Sequence, residues 1–234
     1  MPTGAIVAVL PLLAAAVVGA FLLMEDQPLP IRYAVVGFLS YLLGSVPWGY
    51  LLLRLHTGED VRDYGSGRTG MTNVLRTGGG KIAAITMALD VAKAVLAVLL
   101  ARAVIGSTEA DVAAGLLVLV GHNWPVFLQF RGGRGILTGL GGILMMAPVP
   151  AAIATVTFLI ITFVSRYVSL GSVVGVTIGC LSLVALTLVG MYSSVYALYA
   201  LIGGAIIVWQ HRDNIQRIRQ GNERRLGNPA QKVG

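Results

Sequence analysis

Charge is what this 234-residue sequence has least of: Asp, Glu, Lys and Arg make up 12% of it, against 56% hydrophobic residues. So few charges cannot cover the surface of a soluble domain of this length, which excludes an ordinary soluble globular protein. Cysteine is nearly absent. The single thiol, Cys180, rules out an intramolecular disulfide and, inside an apolar run, reads as a small packing residue. Acidic residues are scarce, ten against seventeen Lys and Arg, and neither a paired-carboxylate site nor a Ser-His-Asp order stands out. The three histidines, His56, His122 and His211, form no ligand spacing, so no metal site and no cofactor are expected. Residues 1–24 lack the basic start of a signal peptide, and their apolar stretch is too long for one, so a retained span is expected. The halves do not repeat each other, which argues against the many carriers built from repeats.

What is present is a series of apolar runs near 20 residues, the length that crosses a bilayer as a helix. They fall at about 4–24, 33–53, 81–105, 111–128, 168–189 and 192–209. Residues 136–147 are too short to span straight. Pro148 and Pro150 then interrupt the helix, and 151–164 completes either a second short crossing or a re-entrant hairpin. The expectation is an all-α, polytopic membrane helix bundle. Its divisions are an N-terminal span and loop (1–32), a membrane domain (33–210) and a basic tail (211–234).

The basic excess fits nucleic acid, anionic lipid or a phosphorylated substrate, and distribution decides. A nucleic-acid binder would gather its charge on a soluble face; here it sits in short loops between spans. One set of loops holds Arg54, Arg62, Arg68, Arg76, Lys81, Arg131, Arg134 and Arg166, and the tail adds six more cations. The opposite set holds only Arg32 and Arg102 among several acids. The positive-inside rule places the first set and the tail in the cytoplasm, with the N-terminus on the same side.

Unusual polar sequence collects on that side. The first segment contains Ser45 and Arg54, then Gly65, Ser66, Gly67, Thr72, Asn73 and Arg76. Glycines let backbone N–H groups turn toward an anion, and arginines offer forked donors to phosphate. A plain basic loop on an anionic membrane explains the same residues. The second segment, Arg131-Gly132-Gly133-Arg134-Gly135, precedes a short helix and makes a compact anion cradle, or a turn decorated by orienting arginines. It lacks the Gly-Lys-Ser/Thr ending of a Walker loop. The third is His211-Arg212-Asp213-Asn214 with Glu223 downstream; its His shuttles a proton, binds phosphate, or is an ordinary interfacial side chain. Ser169 and Ser172 open a span beside Arg166, as phosphate donors or helix caps. Asp90 and Lys93, three residues apart within a span, read as a self-neutralising pair near the site.

These blocks, in this order, resemble the bacterial acyl-phosphate–dependent glycerol-3-phosphate acyltransferase family, PlsY. The resemblance runs from about Tyr33 to about Gly227. It rests on Gly44-Ser45-Val46-Pro47-Trp48-Gly49 with Arg54, Asp60-Val61-Arg62, Gly65-Ser66-Gly67 with Thr72-Asn73 and Arg76, Asp90 with Lys93, and Gly121-His122-Asn123-Trp124-Pro125. The Phe130–Gly135 turn, Arg166–Leu170 and His211–Asn214 complete it. It implies about seven family-type helices, here with one extra N-terminal span, and a cytoplasm-facing site in the bacterial inner membrane. It implies transfer of a fatty acyl group from acyl phosphate to the 1-hydroxyl of glycerol 3-phosphate, giving lysophosphatidate and phosphate in phospholipid synthesis. A functional link to an acyl-phosphate-forming enzyme follows. Ser45 and Arg54 match the family's essential polar pair; Gly132, Gly133 and Gly135 match glycines linked to glycerol 3-phosphate; His211 and Asn214 match its catalytic pair, and Glu223 a structural acid. Arg131 and Arg134 stand where lysines are usual, and Arg68 where asparagine is usual.

Two phosphates and a good leaving group call for neutralisation, orientation and exclusion of water. The expected reaction is direct attack of the glycerol hydroxyl, with His211 or a phosphate oxygen as base and an acyl-Ser45 intermediate as the lesser route. The competing class is a transporter of an organic phosphate; a membrane scaffold would need no such loops.

Overall fold

A computed structural model describes residues 2–232 and is almost entirely helical. Helices α1 (Thr3–Leu23), α2 (Leu29–Ser45), α3 (Trp48–Thr57), α4 (Met71–Gly78), α5 (Gly80–Val104) and α6 (Thr108–Asn123) precede a tight turn. After it come α7 (Ile136–Met146), α8 (Pro148–Ser165), α9 (Val168–Leu188), α10 (Tyr196–Gln210) and α11 (Arg212–Arg219). Among the described residues six helical segments are long and apolar enough to cross a membrane: α1, α2 with α3, α5, α6 with its following turn, α8 and α9. The shorter apolar helices α7 and α10 complete the bundle.

Boundaries follow local chemistry. Proline needs no N–H partner in a first turn, and it opens α2 and α8. Pro148 and Pro150 therefore start α8 rather than merely interrupting a helix; the break is at Ala147. Ser107 caps α6 by accepting from the Ala110 N–H at 3.2 Å. The second span is extended by α3 beyond the expected end at Leu53, and Gly58, at φ 76°, stops it. The polar stretch after it also holds α4, whose apolar residues Met71, Val74 and Leu75 cover only one turn and so do not announce a helix.

Hydrogen bonds sort the loops into two sets. At one end Arg102 Nη2 donates to Met145 O at 2.6 Å, Tyr33 and Ser107 hydroxyls meet at 3.0 Å, and the Val149 N–H reaches Tyr192 Oη at 3.4 Å. At the other, Arg134 Nε donates to Gln210 O at 3.2 Å and the Leu226 N–H to Arg166 O at 2.7 Å. The eleven residues of α7, about 16 Å of helix, therefore run from the second end to the first. Of the two paths open to this segment, a short crossing is the one adopted.

Glycine sets how closely helices approach. A β-carbon on Gly44 (α2) would collide with the Val118 carbonyl of α6, and one on Gly121 (α6) with the Tyr41 carbonyl of α2. Tyr199 of α10 lies over Gly115 and Gly142 and donates to Gly139 O at 2.9 Å. α1 packs on α2 and α5, and Thr3 Oγ1 meets Tyr50 Oη at 3.0 Å.

Gly121→Leu is expected to destabilise the protein by about 3 kcal/mol or more, since backbone must move to admit the side chain. Gly19→Leu, where nothing lies within 4 Å, should stay within about 0.5 kcal/mol of wild type. Unfolding in detergent checks both; equal effects would refute this packing.

Candidate active site

At the end of the bundle that carries most of the arginines, a cavity of about 300 Å³ opens between α4, α7, α9, α10 and α11. Its inner part is apolar, walled by Ile143, Phe158, Val176, Cys180 and Tyr199. Its outer part is polar and holds Arg68, Arg76, Arg134, Arg224, His211 and Asn214.

Asn73 builds the loop wall. Its amide nitrogen donates to the carbonyls of Val61 (2.9 Å), Tyr64 (2.9 Å) and Arg68 (3.0 Å), while its oxygen accepts from the Ser66 N–H at 3.1 Å. Gly65 passes so close that a β-carbon would strike this amide, and Gly65 and Gly67 both take positive φ. Asn73 thus shapes the loop that presents Ser66, Arg68, Thr72 and Arg76 to the cavity. Burial lowers the pKa values of Arg68 and Arg76. Neither guanidinium has a hydrogen bond or ion pair among the described residues.

The glycine turn is shaped by what lies beneath it. The Gly133 N–H donates to His122 O at 3.1 Å and the Gly132 N–H to Asn123 O at 3.2 Å. A β-carbon at 132 would collide with the His122 carbonyl, at 133 with the His122 ring, and at 135 with Leu119. Only glycine lets the turn lie flat on the end of α6. The His122 ring is itself anchored: Lys93 Nζ donates to His122 Nδ1 (2.9 Å), Gly44 O (3.0 Å) and Val46 O (3.2 Å), and pairs with Asp90 Oδ1 at 2.8 Å. Asp90 and Lys93 are a neutralised pair, as expected, and also the strut under the turn. Asp90 and His122 line the cavity.

The turn delivers Arg134 to the cavity, where burial, with Arg68 and Arg217 nearby, lowers its pKa to about 10. His211 Nδ1 donates to Ile207 O at 2.8 Å, leaving Nε2 as the acceptor nitrogen of a neutral ring. Burial drives the His211 pKa down to about 4, with Arg134 and Arg68 adding to the fall. Glu223 is fully engaged: Oε1 accepts from Asn214 Nδ2 (2.7 Å) and Ser169 Oγ (2.9 Å), Oε2 from Arg217 Nε (2.8 Å). It fixes Asn214 and leaves that side chain's oxygen unpartnered among the described residues.

Of the residues singled out in the sequence, Ser66, Thr72, Asn73, Arg76, Asp90, Arg134, Gly135, Ser169, Ser172, His211, Asn214 and Glu223 line this one cavity. Ser169 spends its hydroxyl proton on Glu223, and Ser172 donates back to Val168 O at 2.9 Å. Gly65, Gly67, Gly132, Gly133 and Lys93 stand behind the lining. Three residues are not brought to it. Ser45 is fully buried against Gly121 of α6, between the two carbonyls that Lys93 holds. Arg54 is exposed and bonds the Gly58 carbonyl, closing the end of α3. Arg131 is exposed at the outer edge of the turn. Conversely, Arg68, His122 and Arg224 line the cavity without having been assigned a role there. Arg68 sits within the flagged glycine loop and Arg224 beside Glu223, which was the available signal.

The family model for glycerol-3-phosphate acyltransferase matches residues 34–221. A protein of Dehalococcoides mccartyi named glycerol-3-phosphate acyltransferase 3 is 44% identical over 207 residues, covering 83% of this chain and 96% of that protein. A glycerol-3-phosphate acyltransferase of Rubrobacter xylanophilus is 43% identical over 189 residues, 81% of this chain and 92% of that protein. A crystal structure of PlsY, an integral membrane glycerol 3-phosphate acyltransferase in its glycerol 3-phosphate form, superposes with a TM-score of 0.77 at 34% identity, over 83% of this chain and 96% of that one. The lysophosphatidic acid form of PlsY superposes at 0.74 over 83% and 95%. Helix α1 precedes the matched residues. The chain belongs to the glycerol-3-phosphate acyltransferase family.

Proposed function

We propose that this protein transfers a fatty acyl group from acyl phosphate to the 1-hydroxyl of glycerol 3-phosphate, giving lysophosphatidate and phosphate. The observation that carries the reading is one cavity with an apolar inner part and arginines without carboxylate partners at its polar end. An acyl chain fits the first, and phosphates fit the second. Phosphate rather than a bulky nucleotide carrier as leaving group accords with the compact polar end. The orientation is inferred from the loop charges: the arginine-rich end faces the cytoplasm.

The glycerol hydroxyl attacks the acyl carbon, and the bond from that carbon to the phosphate oxygen breaks. The hydroxyl proton ends on the departing phosphate, so atoms and charge balance. His211 Nε2 accepts a hydrogen bond from the attacking hydroxyl and orients it. A base this weak in the free protein suits orientation, with phosphate as final proton acceptor. Arg134 and Arg68, both partly buried, neutralise phosphate. Asn214 supplies a further polar contact, and Glu223 holds it in place. Ser45 and Arg54 enter through structure: Ser45 between the two carbonyls that Lys93 holds, Arg54 at the end of α3. The organic-phosphate transporter is less well supported, because the buried charges Asp90 and Lys93 are consumed by each other and by His122 and backbone carbonyls.

Purified protein in lipid nanodiscs should form lysophosphatidate from glycerol 3-phosphate and palmitoyl phosphate. Arg134→Ala and His211→Ala should each lower kcat/KM by roughly 10²–10³-fold; unchanged rates in folded variants would refute these roles. His211, observed by NMR without substrate, should titrate near 4, well below a free imidazole. Its folded pKa is depressed, so the ring stays neutral at pH 7 and charges only as pH falls toward that value; a midpoint at 6.5 or above would contradict it. An impermeant thiol reagent should label Gln27→Cys in intact spheroplasts and Arg219→Cys only after permeabilisation. The reverse pattern would invert the orientation.

A further inference from the structure

The C-terminal residues 226–232 lie past the family match, which ends at residue 221, yet from behind the cavity lining they join two of the segments that wall its polar end. Two walls meet there. One is the 64–68 loop with α4, which packs on α3 and α5; the other is the start of α9 with α11, and α9 packs on α8 and α10. The tail bonds to both. On the α9 side the Leu226 N–H donates to Arg166 O at 2.7 Å, and the Arg225 guanidinium lies 5.8 Å from the centre of the Tyr167 ring. On the loop side the Gly65 N–H donates to Gln231 O at 2.8 Å, the Ala230 N–H donates to Arg76 O at 3.3 Å, and Tyr64 and Lys232 form a β-bridge. The Ala230 side chain also faces Gly65 closely enough that a β-carbon there would sit 3.2 Å away.

We infer that this segment is a strap, and that its residues are positioning residues which hold the anion-binding loop at its working distance from α9. The inference rests on the acyltransferase reading for its kinetic consequence. The strap grips the backbone of Gly65 and of Arg76, on either side of the positions that present Ser66, Arg68 and Thr72. Losing it leaves the loop held by Arg224 Nη2 on Gly65 O, at 2.8 Å, and by the Asn73 amide, and so loosens it without removing any side chain that lines the cavity. The two substrates should feel this unequally. Acyl phosphate has a chain to anchor in the apolar inner part, whereas glycerol 3-phosphate binds through polar contacts alone. Strap loss therefore falls on glycerol 3-phosphate.

The test is a chain ending at Leu226, which keeps Glu223, Arg224 and the bond to Arg166. Hydrogen exchange at Gly65–Arg68, measured without substrate, should quicken roughly tenfold or more, because two backbone hydrogen bonds are gone. KM for glycerol 3-phosphate should rise roughly tenfold, with KM for palmitoyl phosphate and the thermal midpoint unchanged. Ala230→Pro in the full chain removes the N–H that reaches Arg76 and should shift exchange and KM in the same direction by less. Unchanged exchange in both variants would overturn the strap. So would equal rises in both KM values with a lowered midpoint, which indicate general damage. Exchange needs no turnover, so a failure of the acyltransferase reading would show separately, as wild-type protein making no lysophosphatidate.

Discussion

Guanidinium groups half-buried in a cavity without carboxylate partners of their own are the constraint around which this molecule is arranged. Burying a cation is costly unless an anion or several hydrogen bonds compensate. Arg68 and Arg76 have no such partner among the described residues, and Arg134 has one carbonyl. The carboxylate beside them, Glu223, is already satisfied by Asn214, Ser169 and Arg217. The cavity is therefore prepared for anions that arrive from outside the chain. The two phosphates of the proposed reaction would bring about three to four negative charges, and Arg68, Arg76, Arg134 and Arg224 stand at the polar end to meet them.

The rest of the fold keeps the arginines there. Lys93 joins the end of α2 to α6 through Gly44, Val46 and His122, and His122 supports the glycine turn that delivers Arg134. Asn73 does the same for Arg68 from the other wall. Close glycine contacts between α2 and α6, and Tyr199 over α6 and α7, fix the helices on which these struts stand. The apolar inner part opens among α7, α8, α9 and α10, so a lipid chain and a water-soluble phosphate can meet at one point.

Much of this was legible in the sequence for a physical reason. A bilayer demands long apolar runs, so the crossings show in composition alone. Loop charge separated the two ends, and hydrogen bonds such as Arg102 to Met145 and Arg134 to Gln210 join loops within each set. The twelve cavity residues marked by glycine, arginine and hydroxyl clusters came together. What was not legible depends on contacts distant in the chain. Nothing near Ser45 announces that it is buried against Gly121 of α6, with Lys93 on the carbonyls of its two neighbours, and nothing near Arg54 announces that it closes its own helix. Helix α4 has only eight residues, and its apolar stripe of Met71, Val74 and Leu75 is too short to stand out in a glycine-rich polar stretch. The bonds from Gly65 N–H to Gln231 O and from Ala230 N–H to Arg76 O join backbone groups, which carry no residue-type signature.

In the proposed reaction both substrates occupy the cavity together and the acyl group passes directly from one to the other, with no bond to the protein. Isotope exchange tests it most directly. Palmitoyl phosphate is incubated with the protein and labelled inorganic phosphate, first without and then with glycerol 3-phosphate. Direct transfer predicts no label in palmitoyl phosphate when the acceptor is absent, and lysophosphatidate when it is present. Rapid labelling of palmitoyl phosphate without acceptor, together with an acylated Ser45 peptide, would contradict the account and place a covalent intermediate on the protein.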